Sequence, residues 1–347
     1  MRILYLAFVR LPTEKAHGLQ IVKTCEALKA AGADVTLMIP GRKTTIQETV
    51  TQYYGLTSDI NLVSLHTPDW IRFGTFGFAL GALVFSEVAK WQRPFWSADV
   101  VYSRDAFVLI QYVLLGRRLV YEAHTEPTWV STFVARRAHR VVTISQGLKD
   151  AYVLRGVPEA KIFVAHDAID PTPFENAPTQ ESARRAFGIP EGRVALYVGR
   201  IEKEKGAETF AAASEHTKTQ VVLIGPGKEK ERMKHAYPKA LFLPETKYRD
   251  LPQVLAAADV LVVPNSATSA DTSHYTSPLK AFAYLAAKKP IIATRVPALV
   301  EIFKDQVTYA TPDDPADLAR AVDEARTVPT LTPYTWDKRA RDILSFL

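Results

Sequence analysis

Three short stretches carry residues that could hold an anion or move a proton. In Thr276-Ser277-Pro278-Leu279-Lys280 a serine and a proline open a segment in which Leu279, Phe282 and Ala286 recur at helical spacing. That order predicts Ser277 as N-cap, Pro278 in the first turn and Lys280 one turn in. Unpaired amides and the positive dipole end of such a terminus favour a phosphate or diphosphate, and Lys280 adds a full charge. In the run from Val198 to Gly206 a strand delivers Gly199 and Arg200, and Lys205 precedes a helix that starts at Ala207. Arginine offers a bidentate fork and lysine a point charge, a combination suited to a doubly charged leaving group. His124 stands just past the strand Leu119 to Glu122, where a titratable ring can face a ligand crevice. Each stretch also has an ordinary reading: a capped helix with a solvated lysine, a solvated charge run, a structural histidine.

The elements that position these residues repeat as strand and helix. In the first half, strands are predicted over Arg2 to Val9, Val35 to Ile39, Asn61 to Leu65, Val100 to Tyr102, Leu119 to Glu122 and Arg140 to Ser145, with a helix from Leu19 to Ala30 ending at Gly32. A further strand lies in the segment Lys161 to Asp170. Ser103, Arg104 and Asp105 sit past a strand end, and an ion pair between Arg104 and Asp105 is the plainer reading. The loop from Pro12 to Gly18 lacks the glycine pattern of a dinucleotide fold, which counts against a nicotinamide enzyme. Gly18 either lets backbone approach a ligand or is an ordinary glycine before the helix. Ala168 to Pro178 holds three prolines and reads as an interdomain linker. Beyond it, strands are predicted at Arg193 to Val198, Val221 to Ile224 (followed by Gly225), Leu241 to Pro244, Asp259 to Val263 and Ile291 to Thr294, with helices at Gln180 to Phe187 and Pro315 to Ala325. Trp336, Ala340, Ile343 and Leu347 form one face of a terminal helix that must dock somewhere.

At 347 residues the chain exceeds a usual single core, so two domains of roughly 170 residues are the prior. Lys and Arg outnumber Asp and Glu by 43 to 37, for a net charge of +6. With no clustered basic patch this surplus serves solubility, and no nucleic-acid footprint is visible. The single cysteine, Cys25, lies in an apolar helical repeat with Ile21 and Leu28; it excludes an intrachain disulfide and fits a reducing cytosol. The N-terminus enters a strand directly, without a signal-peptide layout. The apolar stretch from Phe73 to Phe85 holds three glycines and falls short of the ~20 residues that span a bilayer, so a buried helix is expected there, a surface-lying one being the alternative.

The words TSPLKAFAYLAAKKPIIAT, VGRIEKEKG, YEAHTEP and LPTEKAHGLQ together resemble the retaining GT-B glycosyltransferases of family 4, over nearly the whole chain and most closely in its second half. The resemblance implies two doubly wound, Rossmann-like α/β domains facing across a cleft, with the C-terminal helix crossing back to the first. It divides the chain into 1–170 plus the helix 333–347, the acceptor domain, and 171–332, the nucleotide-sugar donor domain. It also implies that Arg200, Lys205 and Lys280 hold the donor diphosphate, with Gly199, Gly225, Thr276, Ser277, Pro278 and Leu279 around it, Gly18 near the cleft, and His124 near the transferred sugar. No D-x-D pair closes a strand, so cationic side chains take the place of a metal and no cofactor is expected beyond the sugar nucleotide. The acceptor is an unidentified sugar or lipid-linked molecule, which leaves room for a peripheral membrane contact at the inner face of the membrane. Ala283 stands where the family places a ribose-binding glutamate, and Tyr275, eight residues earlier, where it often places another. That departure keeps two alternatives open: a catalytically impaired nucleotide-sugar binding protein, and a sugar-nucleotide epimerase.

Overall fold

The computed structural model describes residues 1–330 and 334–347. The chain divides into two compact units: Met1–His166 with Trp336–Leu347, and Asp167–Thr335. The division falls between His166 and Asp167, where the sequence suggested 170 and 171. The other division falls between Thr335 and Trp336; the position the sequence suggested for it, between 332 and 333, lies outside the described residues.

In the first unit seven parallel strands among the described residues form one sheet: β1 Arg2–Leu6, β2 Asp34–Pro40, β3 Asn61–Leu65, β4 Val100–Ser103, β5 Leu119–Ala123, β6 Arg140–Thr143 and β7 Ile162–Val164. Their order is β3-β2-β1-β4-β5-β6-β7, so the winding direction reverses between β1 and β4. Strands covered on both faces must be apolar throughout, and Ile3 to Leu6, Val100 to Ser103 and Leu119 to Ala123 are all buried. The helix Ala16–Ala30 carries Cys25, fully buried, with burial pushing its thiol well above the ordinary range. The terminal helix Trp336–Phe346 packs on this helix through Trp336, Arg339, Ala340 and Ile343.

The apolar stretch behaves differently from the expectation of a short buried helix. A 3-10 turn, Ile71–Phe73, runs into the helix Gly74–Lys90, so the continuous helical segment reaches 20 residues. By length and composition it could cross a membrane, yet only 28% of its apolar window is buried. One side packs through Ala82, Phe85 and Ala89, while Phe73, Phe76 and Leu80 stay exposed. Three glycines did not stop the helix because two of them make close contacts: a Cβ on Gly77 would meet the Trp70 carbonyl, and one on Gly81 the Phe8 ring.

The second unit repeats the plan with six parallel strands among the described residues: β8 Val194–Val198, β9 Gln220–Ile224, β10 Leu241–Leu243, β11 Val260–Val263, β12 Ile291–Thr294 and β13 Thr308–Ala310. Their order is β10-β9-β8-β11-β12-β13, reversing between β8 and β11. Two apolar clusters cover the faces of this sheet, one around Leu196, Leu261 and Phe282, the other around Tyr197, Phe210 and Leu223. The proline-rich stretch is more ordered than a linker: Ala168 and Ile169 are buried, Ile169 bridges to Thr335, and Thr172–Glu175 is a helical turn.

Candidate functional site

In open parallel sheets ligands bind beyond the carboxyl ends of strands, where the winding reverses. In the second unit that place is the end of β8, and the chain there is Gly199-Arg200. Lys280 reaches it from the helix Leu279–Ala286. Its Nζ lies 3.8 Å from the centroid of the Tyr197 ring, is buried, and has no hydrogen-bond partner. A Cβ on Gly199, whose φ is +149°, would stand 2.6 Å from that nitrogen, so only glycine leaves the lysine its room. Gly225, at the end of β9, is needed for a different reason: a Cβ there would collide with the Gly199 carbonyl.

The surroundings of Lys280 are fixed tightly. Tyr284, one turn further along the same helix, accepts the Val198 amide at 2.8 Å, and the Tyr197 hydroxyl donates to the Arg200 carbonyl at 2.7 Å. These bonds lock the last residues of β8 against the helix. Burial pushes the Lys280 ammonium well below its ordinary pKa, and the nearby charge of Lys205 adds to the effect. A cation held out of water with no acceptor is costly, and an anion's oxygens would relieve that cost.

Two predicted details differ. Ser277 does not cap the helix; Pro278 is the N-cap residue, and the Ser277 Oγ accepts the Asp167 amide at 2.9 Å. Asp167 opens the second unit, and its demand for an acceptor takes the serine away from the helix end. Arg200 is exposed and paired with Glu202, its Nε at 2.9 Å from the carboxylate, so it reaches a ligand only by leaving that pair. Lys205 closes the 3-10 turn Lys203–Lys205 and is half-buried; Thr276 and Leu279 are half-buried as well.

In the first unit His124 is part of a network the sequence reading missed. Glu122 is fully buried and accepts from His124 Nε2 at 2.7 Å, from Arg339 Nη2 at 2.8 Å, and from Gln20 and the Tyr102 hydroxyl. Burial alone would raise the Glu122 carboxyl; Arg339, with the bond and charge of His124 and the bond of Tyr102, holds it well below the usual range. Burial and the field of Arg104 lower His124 to about 4, against the raising effect of Glu122, so the ring is neutral at pH 7. It donates through Nε2, which leaves Nδ1 an acceptor. The signal for Glu122 was present in strand alternation, since residues two apart share a face; nothing local pointed to Arg339, 217 positions away. Gly18 lies inside the first turn of its helix, where a Cβ would run into Tyr54 and Thr13.

Two doubly wound parallel units, one with a buried lysine at its switch point, define an α/β protein of two Rossmann-like units. The family 4 glycosyltransferase model matches residues 18–172, and the group 1 glycosyl transferase model matches residues 192–327. The GDP-mannose-dependent alpha-mannosyltransferase of Corynebacterium glutamicum is 23% identical over 288 residues, 76% of this chain and 67% of that enzyme. The 2-deoxystreptamine N-acetyl-D-glucosaminyltransferase of Streptomyces fradiae is 31% identical over 150 residues, 39% of this chain, so the match spans only 35% of that enzyme's length. Among solved structures, the sucrose-phosphate synthase of Thermosynechococcus elongatus aligns with a TM-score of 0.76 at 17% identity, covering 99% of this chain and 97% of that one. HepE of Anabaena, solved with UDP and glucose, gives 0.71 at 16%, covering 99% and 94%. The chain is a family 4-like glycosyltransferase of GT-B fold.

Proposed function

We propose that the chain transfers a sugar from a nucleotide-diphosphate sugar to an acceptor with retention of configuration, and that it works in the cytoplasm. The observation that carries this reading is the buried Lys280 Nζ without an acceptor at the end of β8. The donor diphosphate is proposed to lie there, against Lys280 and Lys205, with Arg200 swinging from Glu202 to join them. Gly199 and Gly225 keep the backbone low beneath it, and Thr276, Ser277, Pro278 and Leu279 shape the helix entrance. As the glycosidic bond breaks, charge gathers on the diphosphate, and preformed cations stabilise it where it appears. From the first unit, His124 is proposed to accept a substrate hydroxyl at Nδ1, its other nitrogen being held by Glu122. The Corynebacterium glutamicum relative is a GDP-mannose-dependent enzyme, which supports a nucleotide-sugar donor here.

The test is a thermal-shift panel of nucleoside diphosphates on the parent chain and on Lys280→Ala, Lys205→Ala and Arg200→Ala, followed by sugar-nucleotide turnover. Stabilisation lost in the Lys280 and Lys205 variants supports the site; stabilisation kept in all three overturns it. Tight binding without transfer or hydrolysis across a broad donor panel would instead favour a nucleotide-sugar binding protein, the reading that Ala283 keeps open.

A further inference from the structure

A second under-compensated cation sits beyond the carboxyl ends of the first unit's strands, one strand away from its switch point and apart from the residues used above. Arg42 follows β2 by two residues, and Thr67 follows β3 by two. Because Pro40 pairs with Leu65 in register, Arg42 and Thr67 each follow the end of one of two adjacent strands. The Arg42 side chain is only 4% exposed, and its Nε and Nη2 are buried without a hydrogen-bond partner. Those two nitrogens form one edge of the guanidinium fork, the edge that matches two oxygens of a carboxylate or phosphate. Thr67 Oγ1 is likewise buried and unpartnered. What Arg42 does have is an aromatic floor, the Phe8 ring 4.1 Å from its Cζ, and an ion pair with Asp69 at 3.4 Å. The Asp69 side chain is 57% exposed, and 3.4 Å is too long for a good charge-assisted bond. Burial works against the charge of Arg42, and the fields of Asp69 and Asp105 offset this only in part.

We infer that Arg42 and Thr67 form an oxyanion subsite for the acceptor, which therefore carries a phosphate or carboxylate, and that the Asp69 carboxylate holds the place a ligand's anion takes. The location fits an acceptor group, since Phe8 continues β1 beside the reversal between β1 and β4. Phe8 also packs against Phe78 and Phe85 of the half-exposed helix Gly74–Lys90, so an apolar surface begins next to the fork. A phosphate borne on a lipid and a phosphate on a free sugar would present the same oxygens. That this anion belongs to the acceptor rests on the transferase reading; the existence of the subsite does not.

The experiment uses the full chain carrying Lys280→Ala, so that the second unit's cationic pocket does not contribute to the signal. Inorganic phosphate is titrated by calorimetry, and sedimentation is followed with phosphatidylcholine vesicles with and without phosphatidylglycerol. Arg42→Gln is expected to weaken phosphate or phosphatidylglycerol binding at least about tenfold, and Thr67→Val a few-fold, as charged and neutral hydrogen bonds are lost. Asp69→Asn is expected to tighten it a few-fold, because the competing carboxylate loses its charge. That variant, with Thr67→Val, keeps the inference testable should Arg42→Gln fold poorly. Response to soluble phosphate assigns the subsite to a free phosphorylated acceptor, and response to vesicles alone assigns it to a lipid-borne one. Binding that is unchanged in all three variants, or absent in both arms, overturns the inference. Nucleoside diphosphate stabilisation of the chain with Lys280 intact is measured separately, so a failure here is distinguishable from a failure of the donor site.

Discussion

Arg339 Nη2 lies 2.8 Å from Glu122 Oε1, and the two residues stand 217 positions apart in the chain. Arg339 also donates to the His166 carbonyl at 2.9 Å and to Thr24 Oγ1 at 3.2 Å. One side chain thus ties the terminal helix to β5, to the helix Ala16–Ala30 and to the last residue of the first unit's main segment.

Removing one partner of a buried ion pair strands the other, which costs about 3 to 5 kcal/mol. Arg339→Met is therefore expected to lose roughly that much in urea denaturation. Pairing it with Glu122→Gln removes the stranded charge and is expected to recover a large part of the loss. Equal destabilisation of single and double variants would show that Arg339 acts through packing on Trp336 rather than through the carboxylate.

His124 and His17 are both lowered to about 4, each first by burial. The unfolded chain protonates them near 6.5, so between about pH 6.5 and 4 the unfolded state binds more protons than the folded one. Stability is then expected to fall as the pH drops through that window, by up to about 3 kcal/mol for each ring, with little contribution from either above pH 7. Denaturation at pH 7.5, 6, 5 and 4 checks this, with His124→Asn and His17→Asn each flattening part of the slope. Glu122, held below its ordinary range, contributes stability present above about pH 4.5 and lost in stronger acid.

Strand positions and the two-unit plan were legible because buried parallel strands are short β-branched runs, and the helices between them carry clear start and stop residues. Arg200, Lys205 and Lys280 were legible as cations near strand or helix ends. Their states were not: whether Arg200 is engaged by Glu202, or Lys280 is shut from water, depends on the folded surroundings. Ser277 misled because a serine before a proline looks like a cap, and only the fold reveals the Asp167 amide that claims it. The apolar helix was read as too short because its flanks, Ile71 and Arg72 before it and Ser86 to Lys90 after it, add helix without adding a continuous apolar run.

Ala283 is 1% exposed and lies one turn after Lys280 on the same helix. If the ribose of the donor lies beyond this turn, Ala283→Glu supplies a charged acceptor for its hydroxyls, a bond worth about 1.5 to 3 kcal/mol. The variant is expected to raise affinity for nucleoside diphosphates about tenfold or more while leaving pyrophosphate affinity much less changed. Calorimetric titration with both ligands gives the ratio, and an unchanged ratio places the ribose elsewhere.

The depressed Lys280 ammonium gives nucleotide binding a pH signature. In the free chain burial favours the neutral amine, whereas a bound diphosphate favours the cation, so binding raises the pKa and takes up a proton wherever the pH lies between the free and bound values. Affinity is expected to fall as the pH rises through that window. Calorimetry in buffers of different ionisation enthalpy measures the uptake directly. For folding, the sign is the reverse of an ordinary ion pair: the unfolded lysine titrates near 10.4, so the stability cost of Lys280 is largest below its lowered pKa and eases as the pH climbs from that value toward about 10.4. Lys280→Met, which keeps the length of the side chain without the charge, is therefore expected to be neutral to about 2 kcal/mol more stable at pH 7. The same variant is expected to lose both nucleotide stabilisation and proton uptake. A variant that is clearly less stable than the parent would mean the ammonium already has a partner in the free protein, and the pocket would then have no unmet charge for a diphosphate to satisfy.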